Sequence, residues 1–282
     1  MSERSAPPNL KSLDRRIRNL AAKNRTTLVR LRQAVANTAI GQMLPPGVVK
    51  GGTALKLRIG EGGSRFSADV DASRKAESSL DDYIGALGVR LNQGWGGFTG
   101  RVLTVPAPEP AGVPDEYVMQ PFDIKLQYLE KPLITVRFEL GHDEIGSTSK
   151  QDLRLADDLL MLFETLGLET PSPIPVLAIE HQVAQKLHAC TSVGIDTGTN
   201  LRAHDLVDLQ LLDQDEGIDP EAVGPVAIRL FAARKSHSWP PTVVAYPGWE
   251  SIYGRAAKDL DVIPEVSDAV DWTNSLISKM PK

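Results

Sequence analysis

The window from Val48 to Ser73, VVKGGTALKLRIGEGGSRFSADVDAS, constrains the chain more than any other. A glycine pair, Gly51-Gly52, opens a short apolar helical run at Thr53. Backbone N–H groups at such a helix start can hold a phosphate. After a glycine-rich loop, Phe66, Ala68 and Val70 alternate with Ser67, Asp69 and Asp71. That period of two predicts a strand with one apolar face and one polar face, the serine and both carboxylates sharing the polar one. Two carboxylates on one face repel each other in a dry site unless a divalent cation sits between them. Oxygen-rich sites of this kind suit Mg²⁺, often shared with substrate phosphates. Glycines placed for a phosphate, then paired acids placed for a metal, form the arrangement that nucleotidyl transfer needs. Either feature alone would read as a turn or a solvated strand edge.

The rest of the chain sets bounds. Its 282 residues accommodate one large domain or two modest ones. A net charge of −5 and a pI near 5.6 are not the global footprint of a nucleic-acid binder. The charge is uneven, however. Residues 1–35 carry nine Lys or Arg against Glu3 and Asp14, a net +7, which leaves −12 for the remainder. A basic N-terminal segment on an acidic body is a candidate contact for a phosphate backbone. Cys190 is the sole cysteine, so no intrachain disulfide framework or cysteine-based zinc site is possible. Met1 to Pro8 is polar, and no stretch approaches about 18 consecutive apolar residues. The expectation is a soluble, cytoplasmic chain with no membrane partner.

Periodicity places the elements. Leu13, Ile17 and Leu20 predict a first helix with Ser12 as N-cap, and Leu28, Leu31, Val35 and Ile40 a second, ended by Pro45-Pro46-Gly47. A helix is expected over about 79–91. Strands are expected over 101–105, 117–129 and 132–141, with a turn at Glu130-Lys131 and a proline-rich loop over 106–114. Pro171, Pro173 and Pro175 read as an extended linker into a mainly helical second half, with helices over 179–190 and 201–212 and a polar loop over 194–200 between them.

Lys50-Gly51-Gly52-Thr53-Ala54-Leu55, then Arg65-Phe66-Ser67-x-Asp69-x-Asp71, resembles the signature of the AbiEii/AbiGii toxin family. These are the type IV abortive-infection toxins, which include the mycobacterial MenT nucleotidyltransferases. Gln185-Lys186-Leu187 and Arg202-x-x-Asp205-Leu206-Val207-Asp208-Leu209 resemble two further motifs of the family. Gln185 stands where glutamate is usual, and His204 where lysine or arginine is usual. The resemblance implies an α/β fold: a polymerase-β-like minimal nucleotidyltransferase core with a mixed sheet, over residues 1–165, and a mainly helical C-terminal lobe, over 166–282, that completes the cleft.

It also implies roles. Asp69 and Asp71 would hold Mg²⁺ with a third carboxylate on a neighbouring strand. Phe138-Glu139-Leu140-Gly141 matches that strand, and Asp123 is the rival. Gly51, Gly52, Thr53, Arg65, Ser67 and Lys186 would bind the nucleoside triphosphate (NTP). Asp69, Lys186, Asp205 and Asp208 would serve catalysis. Lys186 acts as a point charge on the leaving pyrophosphate. Asp205 anchors that lysine, orients Arg202 or takes a proton from the acceptor hydroxyl.

The implied protein is a toxin with a cognate antitoxin, which in some MenT pairs phosphorylates the serine that Ser67 matches. It transfers a nucleoside monophosphate to RNA, at the 3′ end of tRNA, and so blocks translation. A small-molecule or protein hydroxyl as acceptor, and a non-catalytic binding protein with this fold, stay open beside it.

Overall fold

The computed structural model describes residues 5–107, 118–193 and 198–282. Parts of the expected 106–114 and 194–200 loops, and Tyr117 at the start of an expected strand, lie outside these residues. Two N-terminal helices come first, α1 (Leu10–Lys23) and α2 (Leu28–Met43). Asn9, not Ser12, caps α1: its side-chain oxygen accepts the Ser12 amide at 2.9 Å. Ser12 thus occupies the third helical position, where its own N–H is the orphan to be satisfied. Thr27 caps α2 in the same way.

The chain then builds β1 (Gly47–Lys50), α3 (Gly51–Ile59), β2 (Val70–Arg74), α4 (Leu80–Gln93), β3 (Phe98–Thr104), β4 (Gln120–Tyr128), β5 (Lys131–Gly141), β6 (Gln151–Arg154), α5 (Asp157–Leu166) and β7 (Ile174–Leu177). All seven strands form one sheet in the order β3-β4-β5-β2-β1-β7-β6. It is mixed: β2 runs parallel to β5 and β1 parallel to β7, and the remaining pairs are antiparallel. The hairpin between β4 and β5 turns on Leu129 and Glu130, both at positive φ, one residue earlier than expected. Two successive left-handed residues match the right-handed twist of the strands they join. Five helices complete the fold: α6 (Ile179–Thr191), α7 (His204–Asp215), α8 (Pro220–Arg234), α9 (Trp249–Ala257) and α10 (Val266–Ser278).

Two further expectations are corrected. Pro171 to Pro175 is not only a linker, because Ile174–Leu177 enters the sheet between β1 and β6. A mostly buried strand of four residues has too short a period-two signal to be seen in sequence. The predicted strand over Phe66 to Asp71 begins only at Val70. Before it, side chains take the backbone carbonyls that a neighbouring strand would have used. Gln33 donates to the Ala68 carbonyl at 2.5 Å, and the Thr53 hydroxyl to that of Asp69 at 2.6 Å. Phe66 accordingly lies exposed, at 42%, not in the core.

Two apolar cores flank α3. One joins α1, α2, α4 and α5 to the sheet, and the other gathers α6, α7, α9 and α10. Ala54 and Leu57 belong to the first and Leu55 to the second, so every residue from Gly52 to Arg58 is buried. Arg58 carries its charge into this seam because it is fully paired, to Asp152 and Glu216 at 2.5 Å each, with Leu177 O and Gln182 Oε1 taking further N–H groups. A buried charge is tolerated only with such a complete set of partners.

Candidate nucleotide-transfer site

β1 ends at Lys50 and the chain turns straight into α3 through Gly51, whose φ of +63° is open to glycine at little cost. The helix start has no side-chain cap. Its orphan N–H groups and positive dipole end are available to an anion. The glycine pair is also a matter of space. A Cβ on Gly51 would stand 2.0 Å from Asp71 Oδ2, and one on Gly52 would stand 2.7 Å from Ser67 Oγ. Asp71 and the motif serine are thus both reached from one strand–helix turn.

Register sets the acids. Lys50 pairs with Asp71 across the antiparallel β1–β2 ladder, and Asp71 pairs with Glu139 across the parallel β2–β5 ladder. Neighbouring strands lie about 4.8 Å apart, so these three side chains are adjacent. Asp123 lies one strand further, on β4, opposite Arg137. Burial pushes the Asp71 carboxyl up to about 6; Lys50 opposes the shift, and Glu139 and Asp69 add to it. Burial also raises Asp69, against Arg137. Lys50 is lowered by desolvation, with Asp71 working against that shift.

The donors are hard carboxylate oxygens beside a helix start open to an anion, the donor type that Mg²⁺ and phosphate together would need. A divalent cation would offset both the desolvation that mainly raises Asp71 and the lesser repulsion from Glu139 and Asp69. Among the described residues no three His, Cys, Asp or Glu side chains gather as a metal-holding group. Arg137 stands among the acids, 3.9 Å from Glu139 Oε1 and 3.5 Å from Asp123 Oδ1. Sequence reading gave no role to Arg137, or to Lys50 beyond its place in the motif. Period two along β5 puts Arg137 on the face of Glu139, and that was the available signal.

The facing wall comes from α6 and α7. Lys186 Nζ donates to Asp205 Oδ1 at 3.1 Å and to Asp208 Oδ2 at 2.5 Å. Arg65 grips Asp208 from the other side with two parallel bonds of 2.8 and 2.9 Å, and Arg202 Nε donates to Asp205 at 2.7 Å. Both aspartates are wholly buried. Burial alone would raise them, but Lys186 with Arg65 holds Asp208 well below the usual carboxylate range, and Lys186 with Arg202 lowers Asp205. Helical spacing of three puts both acids on one face of α7. Each therefore meets the same lysine, and three cations face two anions in the cluster. Arg65 and Arg202 both act on Asp71 or feel it electrostatically, which ties this wall to the acids of the sheet.

Behind it, Glu144 takes a two-point ion pair from Arg234 at 2.5 and 2.7 Å, and Gln185 donates to it at 3.4 Å. Both Glu144 and Arg234 reach Lys50 electrostatically. Gln185 thus leans on a carboxylate supplied by the loop after β5. His204 is pushed down to about 4 by burial, so it is neutral near pH 7 and adds no cation.

A glycine-lined helix start, acids paired in register and a cationic wall are the parts that a nucleotidyltransferase-type site would use. The sequence profile of the nucleotidyl transferase AbiEii toxin family, of type IV toxin–antitoxin systems, matches residues 34–277, and the chain belongs to that family. No curated protein sequence matches it significantly. Among solved structures, it is similar to MenT4, a nucleotidyltransferase toxin from Mycobacterium tuberculosis. That match has 19% identity and a TM-score of 0.51, over 95% of this chain and 99% of that one. It is also similar to JHP933 from Helicobacter pylori, at 16% identity and a TM-score of 0.43 over 87% and 88% of the two chains. The MenT4 likeness agrees with the mixed α/β fold. Among the described residues no helix is long and apolar enough to cross a membrane.

Proposed function

We propose that the chain transfers a nucleoside monophosphate from an NTP to RNA, at the 3′ end of tRNA, and so blocks translation until a cognate antitoxin silences it. One observation carries the reading: half-buried Asp71, packed against Gly51, beside Glu139 in register, and opposite a wall of Lys186, Arg65 and Arg202. The open start of α3 takes the phosphates through its backbone N–H groups, with Thr53 buried in its first turn and Ser67 at its rim. Asp69, Asp71 and Glu139 would hold Mg²⁺, which neutralises charge on the transferring phosphoryl group when bound.

Lys186 and Arg65 are fixed by buried acids before substrate arrives. They therefore present positive charge without reorganising, the condition under which electrostatics contributes most to catalysis. Asp205 and Asp208 act as positioning residues for these cations, because both are fully buried and held ionised. The division into a transferase lobe over 1–165 and a helical lobe over 166–282 belongs to this proposal, with β7 as the segment that returns to the sheet. The reaction as proposed runs in the cytoplasm, where the tRNA acceptor is found.

The test is transfer of label from each of four α-labelled NTPs, with total RNA and with purified protein alone, using wild type and Asp69→Ala. Label in tRNA, absent with Asp69→Ala, is expected. Label only in a small metabolite, or only in protein, would remove the tRNA acceptor and leave nucleotidyl transfer standing. No label with any acceptor would remove both.

A further inference from the structure

A cavity of about 180 Å³ lies at the far end of β1 from Lys50. Its walls are mainly apolar, with Leu44, Val49, Ile174 and Pro175 contributing from the end of α2, from β1 and from β7. Two residues of α4 break that pattern. Tyr83 lines the cavity at 2% exposure, and its hydroxyl, fully buried, has no hydrogen-bond partner. Arg90, two helical turns on and exposed, stands at the same cavity. An orphaned buried hydroxyl is costly, and native structures rarely keep one without a use. Burial raises the Tyr83 phenol further above its already alkaline range, with Arg90 opposing, so at neutral pH it is a donor in want of an acceptor. None of these residues belongs to the transfer site, which lies at the other end of the same strand.

We propose that this cavity binds a small carboxylic acid with a compact apolar body, the carboxylate accepting from Tyr83 and facing Arg90. A cavity of roughly 150 Å³ with apolar walls holds a benzene-sized molecule, so the space suits a single ring or a short branched chain. One carboxylate meets both polar requirements at once, as an acceptor for the hydroxyl and a counter-charge for the guanidinium. A bare phosphate would leave the apolar wall unmatched, and a neutral hydrocarbon would leave the hydroxyl orphaned.

The test uses benzoate as probe and benzamide as its neutral counterpart, on the full chain, by saturation-transfer NMR and thermal shift. Benzoate is expected to saturate and to raise the Tm, with benzamide weaker. Tyr83→Phe and Arg90→Gln are each expected to weaken benzoate about tenfold or more, the loss of one charge-assisted hydrogen bond or charge partner. Tyr83→Phe should also raise the Tm of the ligand-free chain, because it removes the orphaned group. Arg90 is exposed on α4, so Arg90→Gln tests the anion requirement even if the tyrosine variant folds poorly. The proposal is overturned if benzoate fails to saturate, or if it binds both variants as it binds wild type. Neither result touches the transfer site, since no readout here depends on nucleotide.

Discussion

Arg65, in the irregular segment after α3, grips Asp208 of α7 with two parallel hydrogen bonds of 2.8 and 2.9 Å, across 143 positions of sequence. Lys186 holds the second oxygen of the same carboxylate at 2.5 Å. One buried acid thus joins the segment that carries Ser67 and Asp69 to the helix pair behind it.

Arg65→Lys keeps the charge and loses the two-point geometry. Asp208 remains neutralised by Lys186, so the fold should survive with a loss of about 1–3 kcal/mol. Transfer should fall more than stability does, because the segment bearing Ser67 and Asp69 loses its anchor. Chemical denaturation and single-turnover transfer, measured side by side, check this. Unchanged transfer in a destabilised Arg65→Lys variant would make the pair purely structural.

Gly51→Ala asks the turn for two things it cannot give: a Cβ at φ +63° and space 2.0 Å from Asp71 Oδ2. The strain at positive φ costs about 1 kcal/mol. The larger effect expected is displacement of the Asp71 carboxylate, with transfer lowered by about a hundredfold or more. Circular dichroism should show the fold retained while the transfer assay shows the loss. Near wild-type transfer would mean that Asp71 is not needed where it stands.

Asp71 titrates at about 6, well above an exposed aspartate, mainly through burial. A carboxylate whose folded value is raised keeps its proton in the folded state while the unfolded chain ionises. Wild type should therefore lose stability relative to Asp71→Asn as pH rises from about 4 to 6, and the difference should level off above that. The full gap is up to about 3 kcal/mol. Urea denaturation of both proteins from pH 4 to 8, without divalent metal, reads it directly. Parallel curves would show that Asp71 is not buried as an acid.

The basic N-terminus is partly spoken for. Arg16 donates to the Ser5 and Leu166 carbonyls, Arg32 pairs with Asp14 at 2.7 Å, and Arg30 binds Glu61 and Ser64. Lys11, Arg15 and Arg18 lie exposed on α1. Neutralising Lys11, Arg15 and Arg18 together should weaken RNA use and flatten its salt dependence by about two in log–log slope. Arg16→Gln should instead lower the Tm. Transfer to a small-molecule hydroxyl would not respond to the triple change.

Ser67 stands against Gly52 beside the helix start. A phosphate there adds roughly −1.5 to −2 charges where the triphosphate is proposed to sit. Ser67→Asp and Ser67→Glu should both abolish growth arrest, and Ser67→Ala should keep it. Full arrest by either acidic variant would separate this serine from control.

Much of the molecule is local and could be read from order alone. Helix faces such as Leu13 and Ile17, the strand over 132–141 with Val136, Phe138 and Leu140 buried, and the Gly51-Gly52 opening of α3 depend on near neighbours, and all are as expected. The pairing of Asp205 with Lys186 was one of three roles that the family resemblance implied for Asp205. What the tertiary structure decided are partners far apart in sequence. Phe66 to Asp69 alternates like a strand, yet Gln33, Asn37 and Thr53 claim its carbonyls first, and a period of two carries no record of that competition. Ile174–Leu177 became a strand because β1 and β6 flank it, a fact held in no residue of its own. Arg137 came to stand among the acids because β4 and β5 pair in one register, and register is fixed by the packing of whole faces, not by any single side chain.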